Sequence, residues 1–336
     1  MTASHCQPGE DTCVAEKALC AKGLSVWAGA AALMAGTTCA CTVAGFFGRW
    51  GWALELFSHF RLQYLLLLAM VIVPLCLARR WKMVVVVGCF ATINFVSVLS
   101  MYVAPSRGNV EGVSLRCVLW NVNTANTRHG EVAAFLQRSD VDVILLLETD
   151  DIWLSAMRDA LDKYPYYAAA PRKDNFGIGL FSKLPIVGGI EAMGAVGLPA
   201  IRATLIKDGC ELTLVGVHAV PPKSAEFAAH RNDLFDSLAD SVPRVDGPVV
   251  LLGDLNATPW SPYFRDLLTR TGLSDGRRGF GIKATWPSFL GPFGIPIDHC
   301  LVSDEVIVED FQLGPSAGSD HRALVVDLVI RTADGG

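Results

Sequence analysis

Apolar and polar positions divide the chain into two unlike parts. Between Leu24 and Val103 charge almost disappears outside a few short clusters, and three long apolar runs stand out. Leu24–Phe47 is rich in Ala, Gly and Thr. Leu62–Ala78 reads LQYLLLLAMVIVPLCLA and stops at Arg79, Arg80 and Lys82, and Met83–Val103 reads MVVVVGCFATINFVSVLSMYV. Each run is near the length needed to cross a hydrocarbon core about 30 Å thick. The pattern therefore predicts three transmembrane helices, over about 24–47, 62–78 and 83–103. Small residues in the first run suit close helix packing. A cleavable signal sequence ending near Cys39 and Ala40 is the alternative for that run alone. Residues 1–23 are polar and are expected to form a disordered tail; Cys6, Cys13 and Cys20 recur in it every seven residues.

Beyond Val103 the rhythm changes. After a linker around Pro105–Gly112, strand-like runs at Leu115–Asn121 and Val141–Leu147 flank a helix-like stretch, Gly130–Ser139. Further strand-like runs follow at Glu211–Val217, Pro248–Leu252 and Ala323–Val329. Strands separated by helical stretches point to an α/β domain. The 230 residues from Arg107 onward can bury one core, so a single domain over 107–336 is expected.

Candidate chemistry sits where these runs stop. In order the ends supply Asn121, Glu148, His218, Asp254 with Asn256, Asp298, and Asp320 with His321. Polar residues at the ends of buried strands are where α/β proteins display their chemistry. Carboxylates, amides and imidazoles in this combination can bind a hard divalent cation and hold a water and a phosphate beside it. Each motif alone has an ordinary reading: Gly-Asp-Leu-Asn as a turn, Ser-Asp-His as a helix cap.

Taken in order, the motifs Trp120-Asn121, Leu146–Thr149 (LLET), His218–Pro222 (HxxPP), Gly253–Thr258 (GDLNAT), Ile297–His299 (IDH) and Ser319–Arg322 (SDHR) resemble the endonuclease/exonuclease/phosphatase superfamily. The resemblance covers nearly all of Leu115–Ile330. It implies a four-layered α/β sandwich: two mixed β-sheets face to face, with helices outside. It also implies a metal-dependent hydrolase of phosphate esters. Carried onto this chain, Glu148 becomes the principal metal carboxylate with Asn121 beside it, and Asp320 a further one. The metal is Mg²⁺ or Mn²⁺. Asp254 would orient or deprotonate the attacking water, and Asn256 would hold it or a phosphate oxygen. His321, aligned by Asp298, would stabilise charge developing on phosphorus, and His218 would contact the phosphate or leaving group. Arg202 and Trp286 are weaker candidates for substrate contacts.

Charge and cysteines narrow the substrate and the compartment. The segment from Arg107 carries 21 basic and 29 acidic residues, a poor match for bulk duplex DNA, whose affinity comes largely from phosphate neutralisation. A phosphodiesterase or nuclease is the first expectation. A phospholipid or sugar phosphate is the alternative, and a non-enzymatic membrane scaffold a more distant one. Gly279–Pro296 is apolar and rich in Gly and Pro, a candidate loop facing the bilayer. Cys117, Cys210 and Cys300 lie in or beside strands without metal-ligand spacing and are expected as free thiols. Arg79, Arg80 and Lys82 place the second turn in the cytoplasm and hence the catalytic domain outside a bacterial inner membrane, although Arg49 and Arg61 in the first turn pull the other way. Oligomeric state is not legible.

Overall fold

The computed structural model describes residues 8–104 and 111–331, with side chains from Val26 onward. Cys6 and most of the expected linker lie outside the described residues. The first helix, α1 (Pro8–Ala44), begins well inside the stretch expected as a tail. It is followed by the short α2 (Trp52–Leu56), then α3 (Arg61–Leu77) and α4 (Trp81–Leu99). Three spans in this region, Val26–Trp50, Trp52–Leu77 and Trp81–Leu99, are long and apolar enough to cross a membrane. They pack through Ala31 and Ala35 of α1 against Leu68, Val71 and Leu75 of α3, with Val87 of α4. Small residues allow this close approach of the helices. At the catalytic end, Asn94 donates to the Thr42 hydroxyl (3.0 Å), so buried polar groups cross-link α4 and α1.

Two six-stranded mixed sheets form the catalytic domain. Its strands and helices follow in the order β1 (Gly112–Asn121), α5 (His129–Arg138), β2 (Val143–Leu147), α6 (Asp151–Ala156), α7 (Arg158–Leu161), β3 (Tyr166–Ala170), β4 (Ile178–Ser182), β5 (Ile186–Met193), β6 (Leu198–Lys207), β7 (Cys210–His218), α8 (Ala225–Ser241), β8 (Val249–Asp254), α9 (Pro262–Thr271), β9 (Ser274–Asp275), β10 (Asp298–Val302), β11 (Val306–Leu313) and β12 (Leu324–Arg331). One sheet runs β11-β12-β1-β2-β4-β3, the other β5-β6-β7-β8-β10-β9.

The alternation of side chains along each strand makes four layers. Leu115, Cys117 and Leu119 of β1 meet Leu212, Leu214, Val250 and Leu252 of the other sheet in the central core. Val118 and Trp120 point the opposite way, under Val132, Leu136 and Trp153 of the outer helices. Val215, Val217, Val249 and Leu251 do the same on the far side, beneath Leu234, Leu238, Phe264 and Leu267. Strands buried on both faces need no polar alternation, which is why β2 reads VILLL. This is the sandwich implied by the resemblance. Cys117 and Cys300 sit in the central core as free thiols.

Candidate active site

Each sheet has one central parallel pair, and both pairs end at the same rim. In the first sheet β1 and β2 are parallel, with Asn121 opposite Leu147, so Glu148 follows directly beside Asn121. In the second, β7 and β8 are parallel with His218 opposite Asp254, and antiparallel β10 places Asp298 opposite Asp254. His218, Asp254 and Asp298 thus form a row across three neighbouring strands. His321 comes from the loop entering β12 and drops between the sheets.

Distances turn this rim into one cluster. Asn121 donates through Nδ2 to Glu148 Oε1 (2.8 Å) and to Asp254 Oδ2 (3.3 Å). His321 Nδ1 lies 2.9 Å from Asp298 Oδ2, and its Nε2 lies 3.7 Å from Asp254 Oδ2. His218 Nε2 is 3.6 Å from that same oxygen and 3.9 Å from Glu148 Oε1. Asn256 donates its backbone N–H to Asp254 Oδ1 (2.9 Å) and its side-chain amide to the Ala219 carbonyl (2.9 Å). Asp320 sits at the edge, accepting from Asn123 Nδ2 (2.7 Å) and Trp286 Nε1 (3.0 Å).

Backbone strain marks the same spots. Glu148, Asn256 and Asn123 have φ of 59°, 47° and 60°. Left-handed backbone costs a non-glycine residue energy and persists where the surroundings enforce it. For Glu148 the enforcement includes the Thr124 hydroxyl, which donates to its carbonyl (2.8 Å). Gly177 packs against the next carbonyl, Thr149 O, where a Cβ would clash.

Electrostatics give these groups different protonation states. Burial pushes Asp254 up to about 8, with the charge of Asp298 adding to the effect. Burial also raises Glu148, against the bond from Asn121. Burial opposes charge on His321, but Asp298 and Asp254 outweigh it and lift the imidazole to about 10. His218 goes the other way, to about 4, through burial and the neighbouring His321 charge. Its contacts with Glu148 and Asp254 are therefore those of a neutral imidazole, not ion pairs. For Asp320, bonds from Asn123 and Trp286 and the His321 charge overcome burial and hold the carboxyl below its ordinary value.

Glu148, Asp254 and Asp298 crowd three acidic groups and the Asn121 amide around one imidazolium. Asp298 Oδ1 is buried with no hydrogen-bond partner. Hard oxygen donors in such a cluster fit a divalent cation of the Mg²⁺ or Mn²⁺ kind. Asp254, Asp298 and His321 also present ligand atoms within 4.8 Å of one another.

A family model for the endonuclease/exonuclease/phosphatase family matches residues 118–321, more than half of the chain. The chain belongs to that family. As a member it is a phosphate-ester hydrolase, of a family whose enzymes use divalent metal ions. Solved structures share the fold. The family member from Bacteroides vulgatus is 18% identical with a TM-score of 0.56, the match covering 65% of this chain and 100% of that one. Truncated Caenorhabditis elegans TDP2 is 19% identical (TM-score 0.52; 66% and 100%). The 3′ phosphatase NExo from Neisseria, bound to a product DNA hairpin, is 21% identical (TM-score 0.53; 63% and 98%). Likeness at these identities establishes the fold alone. No curated protein matches the sequence.

Of the residues singled out in the sequence, Asn121, Glu148, His218, Asp254, Asn256, Asp298, His321, Asp320 and Trp286 come together at this rim. Arg202 does not. It lies on β6 with its guanidinium facing outward to Glu191 (3.1 Å) and Ser241 Oγ (3.0 Å), because its position in the alternation turns it toward the helix layer. Two groups escaped sequence reading. Asn123 was available as the second Asn of Asn-Val-Asn. Phe176, whose ring centroid lies 5.2 Å from that of His218, carried no signal beyond its neighbouring glycine.

A cleft of about 890 Å³ opens above the cluster. Leu56, His59 and Phe60 of the apolar helical region form part of its wall, opposite residues of the catalytic domain. That wall is fastened by buried bonds. Arg231 Nη2 and Ser261 Oγ both donate to Glu55 (2.6 Å each), and His59 Nδ1 lies 3.0 Å from the Thr258 hydroxyl. Glu55 is the one acidic residue between Leu24 and Val103, a signal visible in the sequence.

Proposed function

We propose that this protein is a membrane-anchored, divalent-metal-dependent phosphodiesterase. The observation carrying the reading is the convergence of Glu148, Asn121, Asp254 and the His321–Asp298 pair at one rim, from both sheets, beneath an open cleft. In this reading Glu148 and Asn121 hold the metal. Asp320 assists through the lone pairs that Asn123 and Trp286 leave free on its oxygens. The metal, when bound, would offset charge on the phosphoryl oxygens.

The chain's own groups carry the rest. Asp254 orients a water and takes one of its protons, a task suited to a carboxyl whose pKa burial has raised. The water oxygen bonds to phosphorus, the bond from phosphorus to one ester oxygen breaks, and that oxygen takes a proton from solvent. His321, held charged by Asp298, stabilises the extra negative charge in the transition state. Asn256 holds the water or a phosphate oxygen, and neutral His218 donates a hydrogen bond to the phosphate or leaving group. Trp286 offers its ring to the substrate at the edge of the cleft.

The three spans are read as an integral anchor in a bacterial inner membrane, with the catalytic domain outside. Arg79, Arg80 and Lys82 support a cytoplasmic second turn. The opposing charges in the first turn have local partners: Arg49 pairs with Asp266 of the catalytic domain, and Arg61 Nη1 donates to the Thr42 carbonyl (3.4 Å). External protease should release the catalytic domain from intact spheroplasts; its survival there, with cleavage only after lysis, would reverse the orientation.

The purified full chain in detergent should hydrolyse bis(4-nitrophenyl) phosphate with Mg²⁺ or Mn²⁺ and stop on addition of a chelator. Glu148→Ala should raise the metal concentration needed for half-maximal rate. Hydrolysis indifferent to the chelator would end this reading. Both a nucleic acid and a lipid-linked phosphate fit the chemistry; the shape of the cleft bears on the choice.

A further inference from the structure

Above its acidic floor the cleft is lined by a mixture of apolar groups and a few polar ones, among them Arg172, Asp174, Lys223 and His230. Its upper wall is built by Leu56 and Phe60 from the membrane region and by Val196, Leu198, Val220 and Phe227 from the catalytic domain. A nucleotide or sugar phosphate has little use for such a wall, because polar groups held against it lose water without gaining partners. Strands of nucleic acid need a row of cations along the groove, whereas the Lys and Arg residues lining this one are Lys223 and Arg172, the latter paired with Asp174. An apolar chain gains from the same surface.

We propose that the substrate is a phosphodiester carried by a lipid, with its phosphate at the Asp254–His321 floor and its tail against Leu56, Phe60 and Phe227, leading to the bilayer beside α3. This rests on the phosphodiesterase reading and names its substrate class. Two further observations favour it. The wall cannot swing away from the floor, since Glu55 is clamped by Arg231 and Ser261, and Thr258, four residues after Asp254, contacts His59. The loop Ser288–Phe293 lies against the start of α3, where Gln63 Nε2 donates to the carbonyls of Phe293 (2.8 Å) and Gly294 (3.2 Å). From there it holds Phe289 and Phe293 in the open, 82% and 56% exposed. Aromatic rings at this level suit the boundary between headgroups and hydrocarbon. The reaction needs only water: a P–O bond forms from water, one P–O ester bond breaks, and a phosphomonoester and an alcohol result, one of them staying in the bilayer.

The test uses the full chain reconstituted in vesicles with Mn²⁺. Three substrate arms run in parallel: phosphatidylglycerol, phosphatidylethanolamine and phosphatidylcholine in the vesicles; their water-soluble dibutanoyl counterparts; and a single-stranded oligonucleotide, with bis(4-nitrophenyl) phosphate as a generic diester. For at least one headgroup, kcat/KM on the long-chain lipid should exceed that on the dibutanoyl form by about tenfold or more. Phe60→Ser and Phe227→Ser, both at partly exposed positions, should each compress that ratio severalfold. Equal rates on long and short chains, a ratio untouched by both variants, or faster cleavage of the oligonucleotide would overturn the proposal. If the generic diester is cleaved in these cases, the phosphodiesterase reading survives alone. If no substrate is cleaved with metal present, both fall.

Discussion

Two buried clusters of charge lie close together in this molecule, and they are built on opposite principles. At the joint between the apolar helical region and the catalytic domain, Glu55 receives Arg231 and Ser261, so its charge is met by a guanidinium and a hydroxyl. At the catalytic floor, Glu148, Asp254 and Asp298 share one imidazolium, Asp298 Oδ1 has no partner, and Glu148 sits on left-handed backbone. Burial is common to both, and each leaves a polar atom unpaired, Arg231 Nη1 at the joint and Asp298 Oδ1 at the floor; the balance of charge is what differs, one guanidinium to one carboxylate against three acidic groups to one imidazolium. A charge-balanced cluster holds parts together, whereas an unbalanced one stores electrostatic and conformational strain that a bound cation and substrate relieve. The difference separates structural from functional charge where exposure cannot.

The sharpest way to break the comparison is Asp254→Ala. Turnover should fall by roughly 10²–10⁴-fold, as expected for loss of a positioned base. Thermal stability should hold or rise, because a buried carboxyl whose pKa is raised destabilises the folded state when ionised. A turnover near that of the unmodified protein, or a large drop in melting temperature, would contradict the assignment of the two clusters.

Arg231→Ala should do the reverse. Removing one partner of a buried pair costs on the order of 3–5 kcal/mol, so the melting temperature in detergent should drop markedly. The fraction that stays folded should keep its metal requirement. A variant as stable as the parent would mean that Glu55 is not held by this pair.

Arg202→Ala marks the small end of the scale. Its partners Glu191 and Ser241 lie on the outer face, and half-exposed ion pairs contribute about 0–1 kcal/mol. Activity on a soluble diester should stay within about twofold, whereas a loss greater than tenfold would restore Arg202 to the site.

The legibility of the site followed from chain continuity. Asn121, Glu148, His218 and Asp254 each stand at or just past the end of an apolar run, so an alternation read along the chain finds them. Asp320 and His321 stand just before the last such run and are equally visible. Arg202 was misjudged because a strand alternates faces every residue, and which face meets the cleft depends on the partner layer. Phe176, Leu56 and Phe60 went unnoticed for a related reason. Their contribution is a surface, and a surface has no local pattern. The start of α1 at Pro8 similarly exceeds what polar composition predicts, since a long helix can extend through a polar stretch beyond its apolar span.

By itself the sequence determined the division into an apolar helical region and an α/β domain, five of the strand-like runs, and the identity of the groups at the strand ends. Periodicity and composition carry those facts because they are local consequences of burial. Only the tertiary structure decided that two parallel strand pairs finish at one rim, that Asp320 stands at the edge while Asp254 stands at the centre, and that the apolar helices wall the cleft. Those facts depend on sheet register and on docking between segments far apart in the chain, where long-range contacts select among many locally equivalent arrangements.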